Sequence, residues 1–105
     1  MTRTATKASS KTKTVPYDVS EQLRTPEEMA AYLDAWFVEA PDDAAGIARA
    51  LGDIARAKGM TQVARDAGLS RESLYKALGE SGNPSFATIL KVAHALGLRL
   101  HAQPT

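Results

Sequence analysis

Residues 61–78 of this 105-residue chain, TQVARDAGLSRESLYKAL, hold two short amphipathic helix patterns separated by a single glycine. Gly68 supplies the positive φ angle that a tight turn needs, and Leu69 follows it with an inward-facing apolar side chain. Thr61 is predicted to cap the first helix and Ser70 the second. Two short helices joined by such a turn are the sequence form of the helix-turn-helix motif.

The second helix of this pair is predicted to leave one polar face uncovered. Leu74 and Leu78 face the core, and a helix held in this way presents its N-terminal end to a DNA major groove. There Arg71 is expected to contact guanine or phosphate. Glu72 is expected to accept a hydrogen bond from cytosine. The backbone amides of the first helix N-terminus are placed to hold a phosphate. The predicted DNA-binding residues are Thr61, Gln62, Ser70, Arg71, Glu72, Tyr75 and Lys76.

The same spacing also fits an ordinary helix pair of a bundle. In that interpretation Tyr75 covers the edge of the core, and Glu72 forms an ion pair with Lys76, four residues on.

Two helices are predicted before the motif. Thr25, Pro26 and Glu28 form a capping box at the start of the first helix. Its apolar stripe comprises Met29, Tyr32, Leu33, Trp36 and Phe37. Pro41 ends this helix, and Asp42 or Asp43 opens the next one. The second apolar stripe comprises Ile47, Leu51 and Ile54, and Gly59 is predicted to close that helix as a left-handed stop.

One helix is predicted after the motif, with Ser85 as its cap and Gly97 as its stop. Its core candidates are Phe86, Ile89, Leu90, Val92, Ala93 and Leu96. The residues LRLHA, 98–102, then alternate like a short strand.

The fold class predicted from these patterns is all-α: a compact five-helix bundle with a helix-turn-helix and a possible short C-terminal β-strand. Residues 1–14 are predicted to be a disordered basic tail, because they offer almost nothing to bury. Residues 15–105 form a single helical domain. Within it, residues 15–40 are an arm and the first helix, and residues 42–102 are the helix-turn-helix core.

Composition excludes several classes of function. The chain has no cysteine and two histidines, which rules out disulfides and thiolate catalysis and makes a poor metal site. No cofactor or metal is therefore expected.

No apolar run approaches the length of about 18 residues that spans a bilayer, so no membrane partner is expected and a cytoplasmic location is predicted. No nucleophile, base and orienting group form a recognisable set, so the chain is not expected to be an enzyme.

The net charge of +1 conceals three blocks. Residues 1–14 carry four basic and no acidic side chains, residues 15–53 two basic and nine acidic, and residues 54–105 seven basic and three acidic. This asymmetry indicates different partners for different surfaces, although solvated helix faces are the simpler explanation.

The segments YDVSEQLRTPEEMAAYLDAWF and GMTQVARDAGLSRESLYKAL, followed by GNPSFATILKV, resemble the addiction-module antidote proteins. These are HigA-like antitoxins of the Xre/Cro-type helix-turn-helix family, and the resemblance covers residues 15–102. It implies an Xre/Cro-like bundle that neutralises a cognate RelE-like toxin and represses its own operon by binding operator double-stranded DNA. An RNA-directed ribonuclease of that kind is expected to present a basic surface, which the acidic block at residues 15–53 complements.

Residues 15–40 are the predicted toxin-binding part, since their aromatic residues exceed what one face against a small bundle requires. The predicted toxin-binding residues are Tyr17, Asp18, Glu21, Leu23 and Asp34. The alternative is that the aromatic residues all serve the chain's own core.

A homodimer on a palindromic site is expected, because one recognition helix buries little DNA surface. The segment LGLRLHA is the predicted dimer element.

Two other functions remain open at this point. The chain could be a stand-alone phage-type repressor without a toxin, or an adaptor whose helix-turn-helix binds only protein. A neighbouring toxin-like reading frame would favour the antitoxin, and the absence of any promoter binding would favour the adaptor.

Overall fold

The first helix begins where the sequence places its capping box. In the computed structural model, which describes residues 19–105, α1 spans Pro26–Glu39. The Thr25 hydroxyl accepts from the Glu28 amide at 3.1 Å, and the Glu28 carboxylate accepts from the Thr25 amide at 3.0 Å. The backbone amide of Arg24 also donates to Glu28, which lowers the pKa of that carboxyl. The predicted capping box is therefore confirmed.

The described part of the chain contains five α-helices and one 3-10 helix. The 3-10 helix Val19–Gln22 precedes α1, and the remaining helices are α2 Ala44–Lys58, α3 Met60–Ala67, α4 Arg71–Ala77 and α5 Phe86–Ala95. The predicted five-helix, all-α fold is confirmed. The predicted tail at residues 1–14 lies outside the described residues. No helix among residues 19–105 is long and apolar enough to cross a membrane.

Helix α2 packs closely against α1. Asp43 caps it by accepting from the Gly46 amide at 2.9 Å, which confirms one of the two predicted openings. Gly46 is buried, and a Cβ there would press on the Trp36 ring and the Asp43 carboxylate. The Tyr32 hydroxyl on α1 donates to Asp53 on α2 at 2.7 Å. Burial, with this hydrogen bond as a smaller cause, raises the pKa of Tyr32 to about 12.

Gly59 alone connects α2 to α3. It ends α2 with a positive φ as predicted, but with φ 120° and ψ 109° it lies outside the left-handed helical region. Helix α3 then begins at Met60, and no side chain caps it. The predicted capping role of Thr61 is therefore wrong, since Thr61 is already the second residue of the helix.

The core is built from apolar residues of all five helices. Leu51, Ile54, Leu74, Leu96, Val63 and Val92 are the largest fully buried side chains. Leu23, next to the 3-10 helix, is only 4% exposed and belongs to the same cluster. Lys58 at the end of α2 donates to the Ala95 carbonyl at 3.1 Å, which ties α2 to the end of α5.

The core face predicted for helix α5 is confirmed at some positions and wrong at two others. Ser85 caps it through the Thr88 amide, and Val92, Ala93 and Leu96 are buried as predicted. Phe86 and Leu90 are not core residues, because 69% and 45% of their surfaces are exposed.

The predicted C-terminal strand is wrong. Residues 98–105 contain no regular secondary structure. Leu98 and Leu100 do pack against the core while Arg99 and His101 point outward, so the alternation of the sequence is real. No strand among residues 19–105 lies beside this segment to pair with its backbone.

Candidate nucleic-acid interface

The turn between α3 and α4 has the geometry that its glycine predicts. Gly68 lies in the left-handed region with φ 72° and ψ 30°. Its amide donates to the Arg65 carbonyl at 3.2 Å, and the Leu69 amide donates to the Ala64 carbonyl at 2.9 Å. These two bonds close the helix as a Schellman motif, which satisfies carbonyl groups that the helix end leaves free. Only three residues, 68–70, separate the end of α3 from the start of α4.

Buried side chains hold the two helices on the core. Val63 and Ala64 of α3 are 0% and 3% exposed, and Ala64 is small where the turn approaches. Leu74 is the one buried residue within α4, at 0% exposed, and Leu78 follows at 3%. Because α4 has only seven residues, it is too short to be stable without these contacts.

The outer face of α4 carries the predicted DNA-binding side chains. Arg71, Glu72, Tyr75 and Lys76 are all exposed. Arg71 donates to the Tyr75 hydroxyl at 3.3 Å, and its guanidinium carbon lies 5.1 Å from the centre of the Tyr75 ring. This distance is typical of a cation–π contact. The structure thus brings Arg71 and Tyr75 together as a pair on one exposed surface.

Ser70 has a structural role at the start of α4. Its hydroxyl accepts from the Ser73 amide at 2.9 Å and donates to the Ser73 hydroxyl at 2.8 Å. The predicted cap is confirmed, and it positions the first turn of α4, on which Arg71 stands.

Polar residues of α3 form a chain beside α4. Gln62 donates to Asp66 at 2.8 Å and accepts from Arg65 at 3.3 Å. Its side chain is therefore oriented by two neighbours on its own helix. The first hydrogen bond of α3 runs from the Val63 amide to the Gly59 carbonyl, so the amides of Thr61 and Gln62 precede the internal ladder.

The chain that contains this pair of helices is similar in sequence to known proteins. The sequence profile of a family described as "Probable addiction module antidote protein" matches residues 13–104. The chain belongs to this antidote family. An uncharacterized protein of Haemophilus influenzae is 53% identical to it over 87 residues, which cover 83% of this chain and 88% of that protein. No solved structure matches the chain. The family description indicates an antidote of an addiction module, hence a regulatory protein with a toxin as partner.

The described residues among those predicted to bind that toxin do not all line the same groove. Tyr17 and Asp18 lie outside the described residues. Glu21 is exposed beside a groove that it shares with Pro26 and Lys58, and Asp34 is exposed beside a different groove, lined also by residues 98–101. Leu23 is buried in the antidote's own core.

The sequence reasoning missed an exposed apolar surface. Phe86, Leu90 and Phe37 were placed in apolar stripes, yet at 69%, 45% and 41% exposed they are among the largest hydrophobic side chains left uncovered in residues 19–105. The width of the apolar arc on α5 was the available signal, since one buried face accounts for little more than 100° of a helix.

Proposed function

We propose that this antidote neutralises a RelE-like toxin by direct binding and represses its own operon through α3 and α4, acting as a helix-turn-helix. The observation that carries the DNA-binding part is the division of α4 into two faces. Leu74 is fully buried, while Arg71, Glu72, Tyr75 and Lys76 are exposed. A helix seated this way is available to enter a major groove with its N-terminus leading.

The side chains of α4 take different parts in this proposal. Arg71 reads a guanine edge, and its contact with Tyr75 reduces the number of conformations that it loses on binding. Glu72 accepts from cytosine and Lys76 meets phosphate. The amides of Thr61 and Gln62 at the α3 N-terminus hold a second phosphate, and Ser70 keeps the first turn of α4 in place.

The DNA-binding proposal is tested with a fragment containing the promoter of the chain's own gene. Arg71→Ala is expected to lose about 1–3 kcal/mol of discrimination between this fragment and unrelated DNA. Lys76→Ala is expected to weaken binding to both DNAs alike and to reduce the salt dependence. Arg99→Ala removes an exposed positive charge from the C-terminal segment and serves as the matched control. Wild-type behaviour of both α4 variants across a salt titration would place the interface elsewhere.

The toxin-binding proposal is supported by the family description and by the acidic block at residues 15–53. Glu21 and Asp34 are exposed acidic groups of this block, so both are free to meet basic residues of a toxin. Tyr17 and Asp18 remain part of the proposed surface. Leu23 does not, because its side chain is occupied in the core.

Charge reversal tests this surface. Asp34→Lys and Glu21→Lys are expected to slow association with the cognate toxin, while binding to promoter DNA stays unchanged. Glu80→Lys makes the same change at an exposed site outside the acidic block. If the control slows association as much as the other two variants, net charge and not this surface governs pairing.

The N-terminal part of the proposed toxin-binding surface is tested by a deletion that keeps every core residue of the described range 19–105. Removing residues 1–18 takes away Tyr17 and Asp18 but keeps Val19 and Leu23, which pack in the core. The shortened protein is expected to stay folded and bind promoter DNA while neutralising the toxin less well. Full neutralisation would assign toxin binding to the helices alone.

A further inference from the structure

Phe37 on α1 and Phe86 on α5 line the same open groove, which has a volume of about 500 Å³. Phe86 is 69% and Phe37 41% exposed, so the two rings leave about 220 Å² of apolar surface uncovered. The start of α2 contributes the small side chains of Ala44, Ala45 and Ala48 to the lining. Small residues between two large rings leave room for an apolar side chain from another molecule. This site is called the Phe37–Phe86 groove below.

The walls of the groove are rigid. Pro41 and Pro84 both line it, and the ring of a proline fixes its φ angle. Gly82, which also lines the groove, lies so close to the Ala77 carbonyl that no Cβ fits between them. The segment that leads into α5 is therefore held against the end of α4. A partner that binds here has little conformational freedom of this chain to remove.

The charges around the groove are acidic. Among the described residues that line it, Asp42 alone is charged, and its side chain is exposed. The two segments that supply the lining, residues 37–48 and 82–89, contain three acidic residues and no basic one. On α5 the next basic residue is Lys91, which stands about 160° around the helix axis from Ile89 in the lining. The groove therefore favours an occupant that presents an apolar side chain beside basic groups.

These charges distinguish between the classes of occupant. Two copies of this chain that met through the groove about a two-fold axis would set its acidic residues against each other, and like charges oppose such a contact. The phosphates of DNA meet the same repulsion. A basic protein instead meets opposite charge. The RelE-like toxin of the proposed function is the partner of this kind, because a protein directed at RNA is expected to present a basic surface.

Phe37 joins the groove to the acidic surface of α1. It also lines a second groove together with Asp34, which the proposed function assigns to the toxin surface. Helix α1 contains four acidic residues and no basic one. The apolar area of about 220 Å² is roughly a quarter of the area of about 800 Å² that a standard interface buries on each partner. The two phenylalanines therefore suit the apolar centre of a contact whose rim is acidic.

We propose that the Phe37–Phe86 groove receives an apolar side chain of the toxin, which basic residues of the toxin flank on the sides of Asp34 and Asp42. The identity of the partner rests on the proposed function. The location of the apolar anchor differs from the sequence-based one, because Leu23 is buried in the core while the two phenylalanines are exposed.

Calorimetric titration of the full chain with the cognate toxin tests the anchor. Phe86→Ala is expected to raise the dissociation constant by at least about tenfold, as the loss of an aromatic anchor does. Val38→Ala is the matched control, because Val38 is also 69% exposed but lines neither groove. It is expected to leave the constant unchanged. Both substitutions are made at exposed sites, and an unchanged urea midpoint checks that each variant is folded. Equal weakening by the control would overturn the proposal.

Charge reversal tests the acidic rim. Asp42→Lys is expected to slow association with the toxin and to reduce the salt dependence of its rate. Glu80→Lys reverses an exposed acidic residue that does not line the groove and is expected to change neither quantity. Equal effects of the two variants would show that net charge, and not the groove, governs association.

A peptide probe tests the chemistry of the groove without the toxin. A short peptide with one phenylalanine between lysines is expected to shift the amide resonances of residues 37–48 and 82–89. The same peptide with glutamate in place of each lysine is expected to shift none of them. Equal shifts with both peptides, or shifts confined to other parts of the chain, would contradict the proposed occupant.

The results separate this inference from the proposed function. If the wild type and Phe86→Ala bind the toxin equally tightly, the toxin-binding function stands and the groove is not its site. If the wild type binds no toxin, the proposed function fails, and the toxin is excluded as occupant whatever the peptides do. Dimers of this chain that Phe86→Ala dissociates, with toxin affinity unchanged, would assign the groove to a second copy and overturn the inference.

Discussion

Leu74→Ala is expected to lower the free energy of unfolding by about 3–4 kcal/mol. Leu74 is 0% exposed, so the substitution withdraws about three buried carbon atoms, worth about 2.4 kcal/mol of transfer free energy. The cavity that remains adds about 1 kcal/mol, because neighbours on other helices close it only in part. A small domain is stable by about 5–15 kcal/mol, so the loss is a large fraction of the total.

Urea denaturation followed by the fluorescence of Trp36, the single tryptophan, measures this change. A melting temperature lower by roughly 12–30 °C should accompany it, at about 4–8 °C per kcal/mol for a domain of this size. Tyr75→Ala is the matched control, because Tyr75 is the next residue and is 43% exposed. It should cost less than about 1 kcal/mol, mainly the contact with Arg71. Equal urea midpoints for Leu74→Ala and the wild type would refute the seating of α4 on the core.

Gly46→Ala is expected to destabilise the fold by about 1–3 kcal/mol, because the added methyl group meets the Trp36 ring and the Asp43 carboxylate. A gain in stability, which alanine gives at an uncrowded helical position, would contradict this packing. Thr25→Ala should cost about 1 kcal/mol and Thr25→Ser much less, as urea midpoints will show. Because the pKa of Tyr32 is about 12 in the folded chain and about 10 when unfolded, the unfolded state loses this proton first. Stability should therefore fall between pH 10 and pH 12 more steeply in the wild type than in Tyr32→Phe; equal slopes would contradict the assignment.

Sequence reasoning predicted the helix starts well because a cap is a local structure. Thr25, Asp43, Ser70 and Ser85 each bond an amide three residues ahead in the same chain segment. Nothing distant in the fold is needed to recognise such a contact. The α3 start was misplaced because its cap position holds Gly59, which has no side chain to signal the boundary.

The core face of α5 was predicted only in part because apolar residues surround most of that helix. Leu90 and Val92 are two residues apart, which sets them about 160° apart around the helix axis. Val92 is fully buried, so Leu90 has to face away from the same core. The sequence does not say which of the two directions the rest of the bundle covers.

The candidate DNA-binding face was predicted from spacing, but its internal contacts were not. The positions of Arg71 and Tyr75 follow from helix periodicity once Leu74 is assigned to the core. Their contact, and the bonds that Gln62 makes to Asp66 and Arg65, depend on side-chain rotamers. Leu23 was misjudged for another reason, since its burial depends on how the 3-10 helix packs on α2.

The single residue between α2 and α3 restricts how the length of this chain can vary. With Gly59 as the whole connection, no loop is present to absorb an inserted or deleted residue, so either change would reorient α3 relative to α2. Val63 and Ala64 would then rotate away from the core, and α4 would move with them. Length changes at this junction should therefore be absent from functional descendants of the chain. Under the proposed DNA-binding role, altered specificity would instead arise by exchanging side chains on the face of α4 that contains Arg71.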